Sequence, residues 1–243
     1  DNDGDEDIFL THYAKETNTL YINDGTAMFD DITQSSGLAT PSWNFTSFGT
    51  RLFDYDNDGL LDIMTVSGAV TIFSNGSRED LAQTNQLFRN LDGRRFEDVT
   101  AQAGAAFHLE EVSRGAAFGD LDNDGDTDVV VFNNSEPSRL LVNQVGVGRQ
   151  WLGLRLVGAK APRDMYGAWV ELRQPDGPKL WRRVHTDGSY ASANDPRIHF
   201  GLGDRTAAAT ARVTWPSGRV EDFMDLPVGE YTKLVEGTGR AVE

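Results

Sequence analysis

An aspartate-rich phrase of nine residues occurs twice in the chain, and a shortened third copy lies at its start. The complete copies are residues 54–62 (DYDNDGLLD) and 120–128 (DLDNDGDTD), and residues 1–7 (DNDGDED) lack the first two positions. Each copy precedes a short apolar run of the type that forms β-strands. These runs are residues 8–10, 63–66 and 129–132. The chain is therefore built from repeats in which an acidic loop leads into a strand.

The repeat continues beyond the loop. Its closing aspartates, Asp7, Asp62 and Asp128, are 55 and 66 residues apart. A second strand ending in asparagine is predicted in every copy, and a third strand in the first two copies. The predicted second strands are 20–23, 87–90 and 140–143, and the third strands are 29–33 and 96–100. Repeats of several short strands are typical of propeller blades. The second unit carries an additional polar loop around residues 74–80.

The loops are predicted to bind calcium. Four or five aspartates within nine residues repel one another unless a cation compensates them. Calcium takes six to eight oxygen ligands, and alternate residues of a tight loop can point inward together. Gly59 and Gly125 allow the sharp turn. The predicted ligands are Asp54, Asp56, Asp58, Asp62 and the carbonyl of Leu60; Asp120, Asp122, Asp124, Asp128 and the carbonyl of Asp126; and, in the truncated copy, Asp1, Asp3, Asp5 and Asp7.

Two related sites are disfavoured. An EF-hand requires a glutamate at loop position 12, between two helices. That position is Thr65 in one loop and Val131 in the other, both in predicted strands. Magnesium requires stricter octahedral geometry and retains waters, so calcium is preferred.

Charge and composition narrow the functional classes. The net charge of −16 disfavours binding to nucleic acid phosphates, and three bound calcium ions would reduce it to −10 (three times +2). The chain has no cysteine, which excludes disulfides, thiolate catalysis and zinc–thiolate sites. No apolar run approaches the length of about 20 residues that a membrane helix needs, so no membrane span is predicted.

The repeat resembles the FG-GAP/VCBS repeats of integrin-α-like β-propellers, and residues 151–236 resemble the ASPIC/UnbV domain. The stretches that carry the second resemblance are 151–157, 163–164 with 167–168, 187–190, 199–203 and 213–218. This order of domains is similar to that of the cartilage acidic protein family and its bacterial relatives. The resemblance implies a secreted or cell-surface protein with a calcium-stabilised propeller and no established enzymatic activity. Such propellers usually have about seven blades, so we expect truncation, or a second chain that completes the ring.

We therefore expect an all-β protein with two domains. Residues 1–150 form a partial propeller that is truncated at its N-terminus, and residues 151–243 form a small β-sandwich. Six or seven strands are predicted in the sandwich, from the ranges 151–157, 168–174, 180–186, 198–202, 211–215, 219–226 and 231–236. Leu152, Leu154 and Leu156 alternate along the first of them, as one buried face would.

Other candidate sites in the second domain are weak. One hypothesis places a polar cleft there, and another a sugar-stacking platform of tryptophans. We favour a structural role for His199, which lies between apolar residues, and core or interface packing for the tryptophans. The sequence 201–203 (GLG) lacks the third glycine of a nucleotide-binding loop. The cleft residues are His185, Asp187, Tyr190, Asp195 and His199, and the tryptophans are Trp169, Trp181 and Trp215.

The leading prediction is a calcium-binding extracellular or cell-surface protein for adhesion or scaffolding, without catalytic residues. Its partner would be a protein or a glycan. One alternative is an extracellular polysaccharide-active enzyme or carbohydrate-binding module. Another is a structural subunit of a surface assembly, in which incomplete propellers complete one another.

Overall fold

A computed structural model of the chain describes residues 1–70, 81–160 and 163–242. The predicted all-β class is confirmed: the described residues contain eighteen strands in five sheets. Helical structure is limited there to the four-residue helix α1 (Ala39–Ser42) and to 3-10 turns. The predicted polar loop at 74–80 lies outside the described residues. No described helix has the length and apolar character needed to cross a membrane.

The middle repeat is a four-stranded antiparallel meander, which is the pattern of a propeller blade. Its aspartate loop connects the first two strands as a hairpin. The sequence prediction began the unit at the loop and missed the strand before it, because residues 47–53 (SFGTRLF) show no continuous apolar run. The strands are β4 (Ser47–Phe53), β5 (Asp62–Ser67), β6 (Gln86–Asn90) and β7 (Phe96–Asp98).

The first and third repeats form three-stranded sheets on either side of this blade. The first sheet has no strand before its aspartate loop, and the third has no final strand, as predicted for that copy. None of the described sheets closes on itself, and the three repeat sheets form part of a propeller. The strands are β1 (Ile8–Leu10), β2 (Thr19–Asn23) and β3 (Phe29–Asp31) in the first sheet, and β8 (Ser113–Gly119), β9 (Asp128–Asn133) and β10 (Arg139–Leu141) in the third.

Strand β5 shows why the blades stack. All six of its residues are buried, and successive side chains point to opposite faces of the sheet. Ile63 packs into a cluster with Leu20 and Ile22 of the first sheet. Its neighbour Met64 packs into a second cluster with Val129 of the third sheet. The middle blade is therefore sandwiched between the other two.

Residues 150–241 form a β-sandwich around a single core. Leu152, Leu154 and Leu156 are all buried at its centre, as predicted from their alternation. A three-stranded sheet, in order β14-β11-β17, faces a five-stranded sheet, in order β13-β12-β15-β16-β18. A strand is present in each of the seven predicted ranges, and the short β18 is additional. They are β11 (Gln150–Val157), β12 (Trp169–Arg173), β13 (Leu180–Arg183), β14 (Ile198–Gly203), β15 (Ala209–Thr214), β16 (Val220–Leu226), β17 (Tyr231–Val235) and β18 (Arg240–Ala241).

Candidate metal centre

The two complete aspartate loops each bring three carboxylates together. In each group, one oxygen of every carboxylate lies within 4.8 Å of the others, which is close enough to share a metal ion. Six of the predicted ligands therefore converge, three in each loop. The first triad is mostly buried, whereas two members of the second are exposed. The triads are Asp54, Asp56 and Asp58 in one loop and Asp120, Asp122 and Asp124 in the other.

The first aspartate of each loop organises its turn. The carboxylate of Asp54 accepts hydrogen bonds from the amides of Asp58 (3.1 Å) and Gly59 (2.8 Å). Asn57 and Gly59 adopt positive φ angles of 58° and 100°, which asparagine and glycine tolerate better than other residues. The third loop repeats this backbone, and there Asp120 accepts from the amide of Gly125 at 3.0 Å.

The closing aspartates, also predicted as ligands, lie outside the triads. Asp62 accepts hydrogen bonds from the amides of Tyr55 (3.0 Å) and Asn90 (2.7 Å). It therefore ties the loop to the end of β6. The Asn90 side chain accounts for the asparagine at this position, because its amide donates to the carbonyl of Leu61 at 2.8 Å and its oxygen accepts from the amide of Gly93 at 2.7 Å. The equivalent bonds in the third unit join Asp128 to Leu121 and Asn143, at 2.9 Å each. A ligand role for Asp62 and Asp128 stays a prediction.

The remaining predicted ligands are placed differently. Leu60 donates its amide to the carboxylate of Asp58 at 2.8 Å, and a metal contact by its carbonyl stays a prediction. Within the described chain, the loop at residues 1–7 does not form a third triad. Its aspartates instead make local turns and one link to β2. Asp3 and Asp5 donate their amides to Asp1 (3.3 Å) and Asp3 (3.2 Å), and Asp7 accepts from the amide of Asn23 (3.0 Å).

The buried carboxylates are poorly compensated. Burial raises the pKa of Asp54 to about 7 and that of Asp62 to about 8. Burial, and next the charge of Asp58, also raise the pKa of Asp56. One oxygen of Asp56 and one of Asp120 are buried without a hydrogen bond. Because buried acceptors are normally satisfied, a metal ion would fill the position at Asp120, and at Asp56 it would contend with a neighbouring arginine.

Two arginines supply part of the missing charge in the middle loop. Arg149 Nη1 lies 3.3 Å from Oδ1 of Asp56, and Arg89 Nε lies 3.4 Å from Oδ2 of the same residue. Both arginine side chains are about two-fifths exposed, so water partly screens their charges. A metal ion at this triad therefore competes with these arginines for Asp56.

All three aspartate loops contact the sandwich through the asparagine at their fourth position. Gly203 donates its amide to the carbonyl of Asn57 at 2.7 Å. Arg182 donates to the side chain of Asn2, and Arg197 to that of Asn123, at 2.7 and 2.6 Å. The sequence prediction missed these asparagines. Their recurrence at one position of the phrase was the available signal.

The glycine at the sixth position of each loop also faces the sandwich. A Cβ atom on Gly4 would lie 3.0 Å from the ring of Trp181, and one on Gly59 would lie 3.3 Å from the carbonyl of Gly201. A Cβ atom on Gly125 would overlap the ring of Trp151. The loops are therefore both the candidate metal sites and the surface on which the sandwich sits.

A cavity of about 510 Å³ lies between the blades and the sandwich. Four of the five residues proposed for a polar cleft line it, namely His185, Asp187, Asp195 and His199. Tyr190 does not; its ring packs against that of Phe48 at 5.1 Å.

Most of the candidate aromatic residues are packed against other parts of the chain. His199 stacks on Trp151 at 5.8 Å, and burial lowers its pKa to about 4. Trp215 is buried in the core of the sandwich, and Trp181 contacts the first loop. Trp169 lines the cavity.

Comparison with known proteins agrees with this geometry. The family model described as ASPIC and UnbV matches residues 158–241, and the model for the FG-GAP-like repeat matches residues 1–65. Cartilage acidic protein 1 of Mus musculus is 28% identical over 207 residues, covering 81% of this chain. The proteins of the same name from Homo sapiens and Xenopus tropicalis are 26% and 24% identical and cover 75% and 90% of it. The chain spans 29%, 27% and 41% of the lengths of these three relatives. The resemblance inferred from the sequence is confirmed.

Proposed function

We propose that this chain, in which FG-GAP-like repeats precede an ASPIC and UnbV region, is part of a calcium-stabilised extracellular scaffold or adhesion protein. The observation that carries the proposal is the pair of aspartate triads, each in the hairpin loop of a blade. The similarity to cartilage acidic protein 1 supports an extracellular location.

Calcium is the cation that the donor set favours. The triads offer only carboxylate oxygens, which are hard ligands and suit calcium or magnesium better than zinc or copper. In each loop, backbone amides donate hydrogen bonds to the aspartate carboxylates of the same loop. A loop of this kind fits the variable coordination of calcium better than the strict octahedron of magnesium. Extracellular calcium modules bind with dissociation constants of about 10⁻⁴–10⁻³ M, which matches calcium-rich surroundings.

In this proposal the ion is structural. It would neutralise buried carboxylates in the same loops that contact the sandwich through Asn57 and Asn123. Calcium would therefore hold the blades and the sandwich in one arrangement. A protein or glycan partner would bind the rigid surface that results, and the chain itself would have no catalytic role.

The blades also suggest how the protein assembles. An open row of blades leaves strand edges without partners, and such edges pair readily with other strands. Further blades, or a second chain, would cover these edges and complete the ring. Sizing the chain in the presence of calcium tests whether copies of it associate.

The experiment that tests the proposal is thermal unfolding in millimolar calcium and in EDTA. We expect calcium to raise the melting temperature, because an ion that binds only the folded state stabilises it. Asp56→Ala and Asp122→Ala should each reduce that rise. Equal melting temperatures with calcium and with EDTA would contradict a structural calcium site. A screen of polysaccharides for new reducing ends or unsaturated products tests the enzymatic alternative independently.

A further inference from the structure

Arg51 is a half-buried cation whose guanidinium has no ion pair or hydrogen bond among the described residues. It lies on β4, at the wall of the cavity between the blades and the sandwich. Its Nη1 atom is buried and makes no hydrogen bond. Burial also lowers the pKa of its guanidinium to about 10. Burying a polar group is costly unless hydrogen-bond acceptors or an opposite charge compensate it, so Nη1 of Arg51 is open to an acceptor from a ligand.

The other three arginines of the cavity are compensated. Two of them form ion pairs, and the third donates hydrogen bonds to the first aspartate loop and to a backbone carbonyl. Of the four arginines that line the cavity, Arg51 alone has no side-chain ion pair or hydrogen bond among the described residues, so its guanidinium is the group open to a ligand carboxylate. The contacts are Arg183 with Glu6 at 2.6 Å, Arg197 with Asp195 at 2.6 Å, and Arg182 with Asn2 at 2.7 Å and with the carbonyl of Trp181 at 2.8 Å.

The cavity lining also offers acceptors, on His185 and Asp187. Nδ1 of His185 lies 2.8 Å from Oδ1 of Asp187, so the proton of a neutral imidazole belongs on Nδ1 and leaves Nε2 as an acceptor. Burial, and next the charge of Arg51, lower the pKa of His185, which keeps the ring neutral at pH 7. Asp187 adds carboxylate lone pairs. Such acceptors match hydroxyl groups of a ligand.

We propose that this cavity binds a small hydroxylated carboxylate, with its carboxylate on Arg51 and its hydroxyl groups on His185 and Asp187. A planar guanidinium group matches a carboxylate with two parallel hydrogen bonds. The volume of about 510 Å³ lies within the range of small-molecule sites. A uronic acid combines these groups. Dianionic phosphate is a poorer match, because Asp187 and Asp195 would repel its second charge.

An internal ion pair is the competing explanation. The charges of Asp195 and Asp187 both act to raise the pKa of Arg51, so a change of side-chain conformation would allow either to pair with it. The two explanations predict opposite effects of replacing Arg51 on the stability of the folded chain. If Arg51 is unpaired in the empty cavity, replacing it with an apolar residue of similar length stabilises the folded chain. If Arg51 is paired, the same replacement destabilises it.

The test is calorimetric titration of the chain with galacturonate, galactose and inorganic phosphate in one calcium-containing buffer. Galactose carries comparable hydroxyl groups without the carboxylate. The variants are Arg51→Met, Arg51→Lys and the control Arg95→Met. Arg95→Met also removes one positive charge, but the side chain of Arg95 is largely exposed in the turn between β6 and β7. Melting temperatures are measured for each variant without ligand.

We expect the original chain to bind galacturonate about tenfold or more tightly than galactose, which is the effect of one charge-assisted hydrogen-bonded pair. Arg51→Met should lose this preference and raise the ligand-free melting temperature. Arg51→Lys should retain part of the preference, and Arg95→Met all of it. Equal binding of galacturonate by Arg51→Met and the original chain would overturn the proposal. A lower melting temperature of Arg51→Met would also overturn it, and so would tighter binding of phosphate than of galacturonate.

Discussion

The side-chain amide of Asn57 donates a hydrogen bond of 2.7 Å to Oδ1 of Asp126. The same nitrogen donates to the carbonyl of Gly125 at 3.1 Å, so the middle aspartate loop is joined to the third. The other oxygen of Asp126 is buried without a partner, and burial raises the pKa of this carboxyl to about 6. The two candidate metal sites are therefore parts of one connected structure.

Asn57→Ala should destabilise the folded chain by about 2–3 kcal/mol. It removes the link to the third loop and places a side chain that disfavours positive φ at 58°. Asn57→Gly separates these effects, because glycine accepts the backbone but cannot form the link. Denaturant unfolding measures both. Equal stability of Asn57→Gly and the original chain would show that the link contributes nothing.

Gly125→Ala should destabilise the chain by more than the cost of placing alanine at a positive φ angle. Its φ angle is 94°, and a Cβ atom would overlap the ring of Trp151. Gly148 provides a matched control, since its φ angle is also 94° and no atom lies within 4 Å of an added Cβ. We expect about 1 kcal/mol for Gly148→Ala and about 3 kcal/mol for Gly125→Ala in denaturant unfolding. Equal losses would mean that the loop does not press on the sandwich.

Without metal, the free energy of unfolding of the chain should fall as the pH rises from about 6.5 to about 8. The pKa values of Asp54 and Asp62 in the folded chain, about 7 and about 8, lie above the ordinary value of 3.8. The folded state therefore holds more protons than the unfolded state in this window, and it loses stability when they dissociate. The pKa of His199 is lowered to about 4, so its effect is confined to lower pH.

Melting temperatures in EDTA and in calcium, measured across that window, check this expectation. Calcium should replace the dissociating protons, so its stabilising effect should grow with pH. A melting temperature in EDTA that rises from pH 6.5 to 8 would contradict the assigned direction.

Arg149→Met should tighten calcium binding at the middle loop. The guanidinium lies 3.3 Å from Oδ1 of Asp56, where it competes with the ion and repels it. Because the group is partly exposed, we expect a gain of about threefold in affinity. Calorimetric titration measures it, with Arg155→Met as a control whose arginine pairs with Asp164 instead. Weaker calcium binding by Arg149→Met would show that the arginine supports the site.

The sequence predicted those parts of the fold that local pattern determines. The alternation of Leu152, Leu154 and Leu156 marked a buried strand face, and the aspartate phrase marked the loops. Strand β4 was missed because its residues carry little apolar signal, although β5 and the neighbouring β8 enclose it. Its place in the blade depends on pairing partners and not on its own composition.

The candidate site was predicted only in part, for a similar reason. Spacing within one loop indicates which aspartates can meet, and the triads follow that spacing. Contacts between distant segments leave no such pattern. The bond from Gly203 to Asn57 and the unpaired Arg51 depend on how the sandwich sits on the blades. Only the three-dimensional structure brings those residues together.

The most direct measurement of the central claim is calorimetric titration of the metal-free chain with calcium. We expect at least two calcium ions to bind each chain, one at each aspartate triad. Asp56→Asn and Asp122→Asn should each abolish or weaken the binding of one ion. The control Asp176→Asn, at an exposed turn outside the loops, should leave the titration unchanged. No binding at millimolar calcium, or a titration that neither loop substitution alters, would contradict the account.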